Sequence, residues 1–479
     1  MKIVVLGGSP KGDVSVTMQY VEYLRRRFPG HGFVVHQVAN GINRLVKNEA
    51  AFAEVIDDVR RADAVLWAFP LYILLVCSQY KRFIELVSER GGAEAFAGKY
   101  AASLSTSINY YDITAHNYIR SVSEDLEMKF VGFYSANMDD LRKETEQERL
   151  TRFGQDLFDA VASNRRVSRR YAPLPSQPQV DLADPAGTAF GLTDAGEKRI
   201  VILTDEHGDD VRNRNLRGMT SRLQAAWNGA AKMINLHDID IRGGCLGCLK
   251  CGQAYECAYT GKDGFIDFYR SEVMTADIIV MAGAVADRQL SWKWREFFDR
   301  SFFNTHTPVL TGKQIAFLVS GPLTHLQDMQ QVYEAWVELQ EANLVDFVSD
   351  DGLEAPGDVS GDGAHLAARI DSLAERALTC ASVGYVRPRT FLGIAGMKIF
   401  RDDIFGHLRI PFPADHRTYR KRGYYNFPSR NPVRRAVIWL MSVVLRIPFM
   451  RRGFVKEMRE RMIAPYRQVA QAAKPATGG

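Results

Sequence analysis

Cysteine is scarce in this chain, with six residues in 479. So few thiols in so long a sequence exclude the disulfide framework of small secreted domains. Long apolar stretches are missing too. No run reaches the eighteen or so residues that a membrane-spanning helix needs. The first residues, MKIVVLGGSPKGD, lack the apolar core of a secretory leader and turn at once into a glycine-containing loop. The expected compartment is the cytoplasm. An apolar content of 46% with 24% charged residues fits a soluble globular protein, and the length calls for two or three domains.

The net charge of +5 is unevenly spread. Residues 387–467 hold 19 Lys and Arg against 5 Asp and Glu, a surplus of 14. The rest of the chain holds 42 cations against 51 anions, a deficit of 9. An acidic body with a basic tail implies that the tail has a partner of its own.

The chain repeats itself. IVVLG from Ile3 has a counterpart in IVILT from Ile200, 197 residues on. ADAVLWAFP from Ala62 matches ADIIVMAGA from Ala276, and GKYAASLST from Gly98 matches GKQIAFLVS from Gly312, both at an offset of 214. A period this long means a duplicated domain rather than a solenoid. Short β-branched runs alternate with helical patterns in each copy. Strands are expected near 2–8, 33–38, 64–69, 99–106 and 129–135, and again near 199–205, 234–240, 277–283, 313–320 and 343–349. Helical patterns include RFIELVSER, QERLTRFGQDLFDAVA and, closing the second copy, HLAARIDSLAERAL from His365. Five β-α units make an α/β doubly wound parallel sheet. Domains are expected at 1–165 and 198–382, with a linker at 166–197 rich in Pro, Gly and Asp and a basic, aromatic-rich extension at 383–479.

After the first strand, GGSPKGDVSVT offers Gly7 and Gly8 for close backbone approach and the hydroxyls of Ser9, Ser15 and Thr17. A helix follows, whose first N–H groups are free. This suits a phosphate monoester. The plain alternative is a strand-to-helix turn with a Ser or Thr cap. After the third strand, Pro70, Leu71, Tyr72 and Ile73 would form a stiff apolar wall where open α/β sheets bind ligands.

GSPKGDVSVT together with PLYILLVCSQYKRFIE resembles the NAD(P)H-dependent FMN reductases of the flavodoxin-like superfamily. The resemblance extends over roughly residues 1–350 and is most specific in the first copy. It implies two tandem flavodoxin-like five-stranded sheets. It implies FMN with its phosphate on Ser9, Ser15 and Thr17 beside Lys11, and the ring against Pro70, Leu71, Tyr72 and Ile73. Lys11 stands where Arg is frequent, and Val16 where Asn is usual. The segment STSINYYDITAHNYIRSV also resembles this group and sets Ser105, Thr106 and Ser107 beside the ring. His116 and Tyr72 are the candidates for catalytic groups there. The plain reading of His116 is a surface residue on a helix capped by Thr114.

Four of the six cysteines lie in GGCLGCLKCGQAYEC, residues 243–257. Cys245, Cys248, Cys251 and Cys257 are spaced C-x2-C-x2-C-x5-C. Structural zinc sites usually pair two C-x2-C knuckles across a longer spacer, whereas successive two-residue gaps are those of ferredoxin-type runs holding iron–sulfur clusters. Zinc and unligated redox thiols are the alternatives. The motif also matches the compact cysteine loop of the iron–sulfur flavoproteins, which implies a 4Fe–4S cluster near FMN. Cys77 reads as packing, and Cys380 stands apart.

The offset grows from 197 to 214 across this stretch, so the cysteines sit on an insertion of 17 residues in the second copy. That copy has Ala284, Val285 and Ala286 where the first has Pro70, Leu71 and Tyr72. Its first loop carries Asp205, Glu206, Asp209 and Asp210, which repel a phosphate. Each copy keeps what the other lacks. The expectation is a fused pseudo-dimer, FMN in one half and the cluster in the other. NAD(P)H or a redox protein would be donor or acceptor. A non-catalytic electron carrier and a zinc-stabilised scaffold are the competing readings. The C-terminal extension invites docking on these domains, homo-oligomerisation, a partner protein or an anionic membrane surface. It contains no nucleic-acid-binding module, so no nucleic acid is expected.

Overall fold

The computed structural model describes residues 1–182, 196–351, 363–427 and 431–454, with a few positions beyond. The first half holds β1 (Lys2–Gly7), α1 (Val16–Arg27), β2 (Gly32–His36), α2 (Ile42–Lys47), α3 (Glu49–Arg60), β3 (Ala64–Pro70), α4 (Ser78–Glu89), β4 (Tyr100–Ser107), α5 (Asp112–Asp125), β5 (Lys129–Asn137) and α6 (Glu144–Ala162). Ile3, Val4, Val5 and Leu6 have no exposed surface. Continuous β-branched and apolar runs of this kind are what a parallel strand needs when helices cover both its faces. The strand order is β2-β1-β3-β4-β5, all parallel.

The second half holds β6 (Ile200–Thr204), α7 (Val211–Ala226), β7 (Lys232–Asn235), α8 (Cys251–Ala254), α9 (Phe265–Phe268), β8 (Ile278–Ala284), α10 (Trp292–Ser301), β9 (Gln314–Ser320), α11 (Gln327–Leu339), β10 (Asn343–Ser349) and α12 (Gly363–Val383). Its parallel sheet runs β7-β6-β8-β9-β10, the same order as the first. Both are the flavodoxin-like arrangement. One expected strand is shorter. At 234–240 the chain leaves the sheet after Asn235, whose side chain accepts the N–H of His237 and opens a 3-10 turn at Leu236–Asp238. A local side-chain bond there competes with the ladder. The proposed linker lies partly outside the described residues.

Beyond α12 come α13 (Phe391–Phe405), α14 (Pro413–Lys421) and α15 (Pro432–Val444). Two compact units result, Met1–Thr418 with both sheets and Tyr419–Gly479.

Within the first unit, α4 packs on α10, its counterpart in the other half. The backbone N–H of Ser78 donates to Asp299 at 2.6 Å, and that of Trp292 donates to Glu85 at 2.6 Å. Residues 78 and 292, and likewise 85 and 299, are each 214 residues apart. The contact is therefore reciprocal, as in a two-fold dimer. Each helix start has its free N–H met by a carboxylate from the other helix, which also suits the helix dipole. Leu74 and Tyr110 of the first half enter the hydrophobic core of the second.

Candidate functional site

The carboxyl ends of β1, β3 and β4 bring three sequence motifs together. Gly7 is in register with Ala68, and Pro70 with Thr106. The loop after β1 passes close to β3 and α4 at Gly8. A Cβ on Gly8 would stand 2.8 Å from Cβ of Phe69 and 2.9 Å from the Tyr80 ring. The loop's left-handed residue is Gly12, at φ +58°. Ser15 caps α1, its Oγ accepting the N–H of Met18 at 3.2 Å. Ser9 Oγ accepts the N–H of Lys11 at 3.2 Å. Thr17 Oγ1 lies 2.6 Å from Thr106 Oγ1, tying the helix start to the end of β4.

Ser9, Lys11, Ser15 and Thr17 line a cavity of about 400 Å³. That volume falls in the range of small-molecule sites, roughly 300–1,000 Å³. Pro70, Leu71, Tyr72, Ile73, Thr106 and Ser107 line it too. The wall is held by a tight turn in which Tyr72 and Leu75 exchange both backbone hydrogen bonds, at 3.0 and 2.9 Å. Burial pushes the Tyr72 phenol far above its ordinary range, and the nearby Cys245 thiol adds to the shift. The phenol stays protonated.

The cavity does not reach Ser105 or His116 among its lining residues. His116 is buried between two strand hydroxyls, with Nδ1 2.7 Å from Ser103 Oγ and Nε2 2.8 Å from Ser105 Oγ. Burial lowers it to about 3, so the ring is neutral. Both nitrogens have hydroxyl partners. The expectation of a surface histidine is corrected: His116 is a buried residue of α5. Cys77 is also packing, buried with its thiol donating to Gly8 O at 3.2 Å.

All four clustered cysteines line the same cavity as the phosphate loop. Their loop presses on the aromatic wall. Gly247 has φ +62°, and a Cβ there would fall 2.1 Å from Tyr72 Oη and 2.9 Å from Lys11 Cε. Gln79 Nε2 donates to Cys245 O at 3.1 Å from the other half. Burial and the neighbouring thiols of Cys257 and Cys248 push Cys251 up to about 12. Burial raises Cys245 further, with Asp299 and the thiols of Cys251 and Cys257 adding to it. Among the described residues no three His, Cys, Asp or Glu side chains gather closely enough for one metal ion.

Several groups at this site were not anticipated. Arg300 has a fully buried side chain that pairs with Asp263 at 2.7 Å and donates to Gly243 O at 3.0 Å, fixing the start of the cysteine loop. Its guanidinium lies 4.4 Å from the centre of the Tyr259 ring. His306 also lines the cavity, with Nδ1 2.9 Å from buried Asp415. Phe400, Leu408 and Phe412 of the C-terminal extension complete the wall. The available signal was α10 itself, where WKWREFFDRS places five charges in a helical pattern with apolar neighbours on every side.

The equivalent loop of the second half is differently made. Asp205 is buried and bonded to Ser291, Asp210 caps α7 by accepting the N–H of Asn213 at 3.1 Å, and Glu206 pairs with Arg217 at 2.7 Å. Carboxylates fill the place where the first half presents hydroxyls.

Residues 1–139 match the model of the NADPH-dependent FMN reductase family. No curated protein matches the chain. Among solved structures, the apo form of the NADH:FMN oxidoreductase EMOB is 20% identical over 35% of this chain and 91% of its own, at a TM-score of 0.29. An NAD(P)H:quinone oxidoreductase from Methanothermobacter marburgensis is 17% identical over 33% and 97%, at 0.27. The flavoenzyme FerB from Paracoccus denitrificans, an NAD(P)H:(acceptor) oxidoreductase, is 16% identical over 33% and 97%, at 0.25.

Proposed function

We propose that this chain is a flavin-dependent oxidoreductase that binds FMN in its first domain, residues 1–165, and a 4Fe–4S cluster in its second, residues 198–382, with NAD(P)H or a redox protein as electron donor. The two domains act as a fused pseudo-dimer. The observation that most supports this is the shared cavity: the hydroxyl loop, the Tyr72 wall and all four clustered cysteines line it together. The family match over residues 1–139 supports the flavin half.

When bound, FMN accepts a hydride as an electron pair and releases electrons singly, and an iron–sulfur centre takes them one at a time. The chain's own residues do the rest. Ser9, Ser15 and Thr17, with the first N–H groups of α1, hold the phosphate, and Lys11 supplies its countercharge. Pro70, Leu71 and Ile73 give the ring an apolar face. Tyr72 Oη keeps its proton beside Gly247 and so presents a neutral group between wall and cysteine loop. Cys245, Cys248, Cys251 and Cys257 hold the cluster, and Arg300 with Asp263 fixes the loop that carries them. Phe400, Leu408 and Phe412 keep water from that side.

Anaerobic titration with NADPH and NADH, followed in the visible spectrum, tests the reading. Bleaching of a flavin band followed by bleaching of a broad iron–sulfur absorption is expected. A flavin band that nicotinamide leaves unchanged points to a carrier reduced by another protein.

A further inference from the structure

The second compact unit contains a surface that electron transfer within the first does not use. Helix α15 has no buried residue. Val433, Val437, Ile438, Leu440 and Met441 are exposed, Trp439 to 66%, and Phe449 beyond the helix to 79%. Isolated exposed apolar side chains are ordinary, but a continuous run of this size marks an interaction site.

The charge around it is of one sign. Between Asn431 and Phe454 stand Arg434, Arg435, Arg446, Arg451 and Arg452, with no Asp or Glu. Arg434 and Arg435 lie in the first turn of α15, and Arg446, Arg451 and Arg452 follow its end at Val444. The exposed apolar residues of the helix lie between these two groups. Pro at the first helical position and the Asn431 side chain, which accepts the N–H of Arg434 at 3.0 Å, fix where the helix starts.

This helix cannot cross a bilayer. Thirteen residues span about 20 Å, against a hydrocarbon core of about 30 Å. Among the described residues no helix is long and apolar enough to do so. A short helix with an apolar majority, arginines at its start and beyond its end, and an exposed Trp is built to lie in the headgroup region of an anionic membrane. Arginine stems extend from the apolar level to the phosphates. A protein groove of matching length would not require cations with no anion among them.

We infer that residues 431–454 dock the chain on an anionic membrane surface by inserting the apolar face of α15, with the five arginines on lipid phosphates. The test is co-sedimentation of the full chain with vesicles of phosphatidylcholine containing about a third phosphatidylglycerol, and with phosphatidylcholine alone. Binding is expected to the first and to fall by roughly tenfold or more in Arg434→Ala/Arg435→Ala or at high salt. Trp439→Glu should abolish it. Trp439 emission should shift to the blue on the anionic vesicles, a shift that Trp439→Phe removes. Three results would overturn the inference: no binding to anionic vesicles, equal binding to both kinds, or self-association through this segment with no vesicle binding.

Discussion

Asp299 accepts the backbone N–H of Ser78 at 2.6 Å, and Glu85 accepts that of Trp292 at 2.6 Å. Two halves of one chain thus exchange helix caps across a contact whose other charges are also buried. Lys81 has no exposed side chain and lies 2.7 Å from Glu85 and 2.9 Å from Asp287. Its pKa is raised because these carboxylates outweigh the burial that acts against the charge. Lys81→Met should destabilise the chain by about 3–5 kcal/mol, because it strands two carboxylates. Urea denaturation measures this, and a loss below about 1 kcal/mol would show that the contact contributes little.

His116 makes an acid-sensitivity prediction. Its folded-state value near 3 lies below the ordinary 6.5. Above 6.5 both folded and unfolded chains carry a neutral ring. As the pH falls from there, the unfolded chain binds a proton that the folded one refuses until about 3. Stability therefore drops through that window, by a few kcal/mol at most. His116→Gln should flatten the dependence between pH 6 and pH 4 while leaving flavin content at pH 7 unchanged, as measured by thermal melts and flavin absorbance.

Gly247 sits at a position where a side chain has neither conformation nor room. Gly247→Ala should force the cysteine loop off Tyr72 and Lys11. Iron content should fall severalfold with flavin retained, since the phosphate hydroxyls are untouched. Equal loss of both would mean that the loop supports the whole cavity.

The phosphate loop is tested by Ser15→Ala with Thr17→Val. Losing two hydroxyl partners should weaken FMN binding by roughly tenfold to a hundredfold, at about 1 kcal/mol or slightly more each. Asp209→Asn in the corresponding loop of the second half should leave it unchanged. Fluorescence titration of flavin-stripped protein separates them.

Much of this was legible in the residues. Runs such as IVVLG read as short buried strands, which they are, and the loop after the first of them carries Ser9, Ser15 and Thr17 to the cavity. Other features depended on contacts that no local pattern encodes. His116 follows a polar loop but lies on the α5 face with Ala115, Ile119 and Val122, under Phe133, whose ring is 4.4 Å away. Arg295 and Asp299 of α10 pair in the interior at 2.6 Å, where Ser78 of the other half also donates its N–H to Asp299, a contact between segments more than two hundred residues apart. The share of Phe400 and Phe412 in the cavity wall arises from a chain return across more than a hundred residues, and only the folded chain reveals it.

The most direct test of the central claim is to purify the protein without oxygen and count flavin, iron and zinc per chain, alongside Cys245→Ser. The account predicts about one FMN and four irons, with iron lost and FMN kept in the variant. Zinc in place of iron, or two flavins per chain, would contradict it.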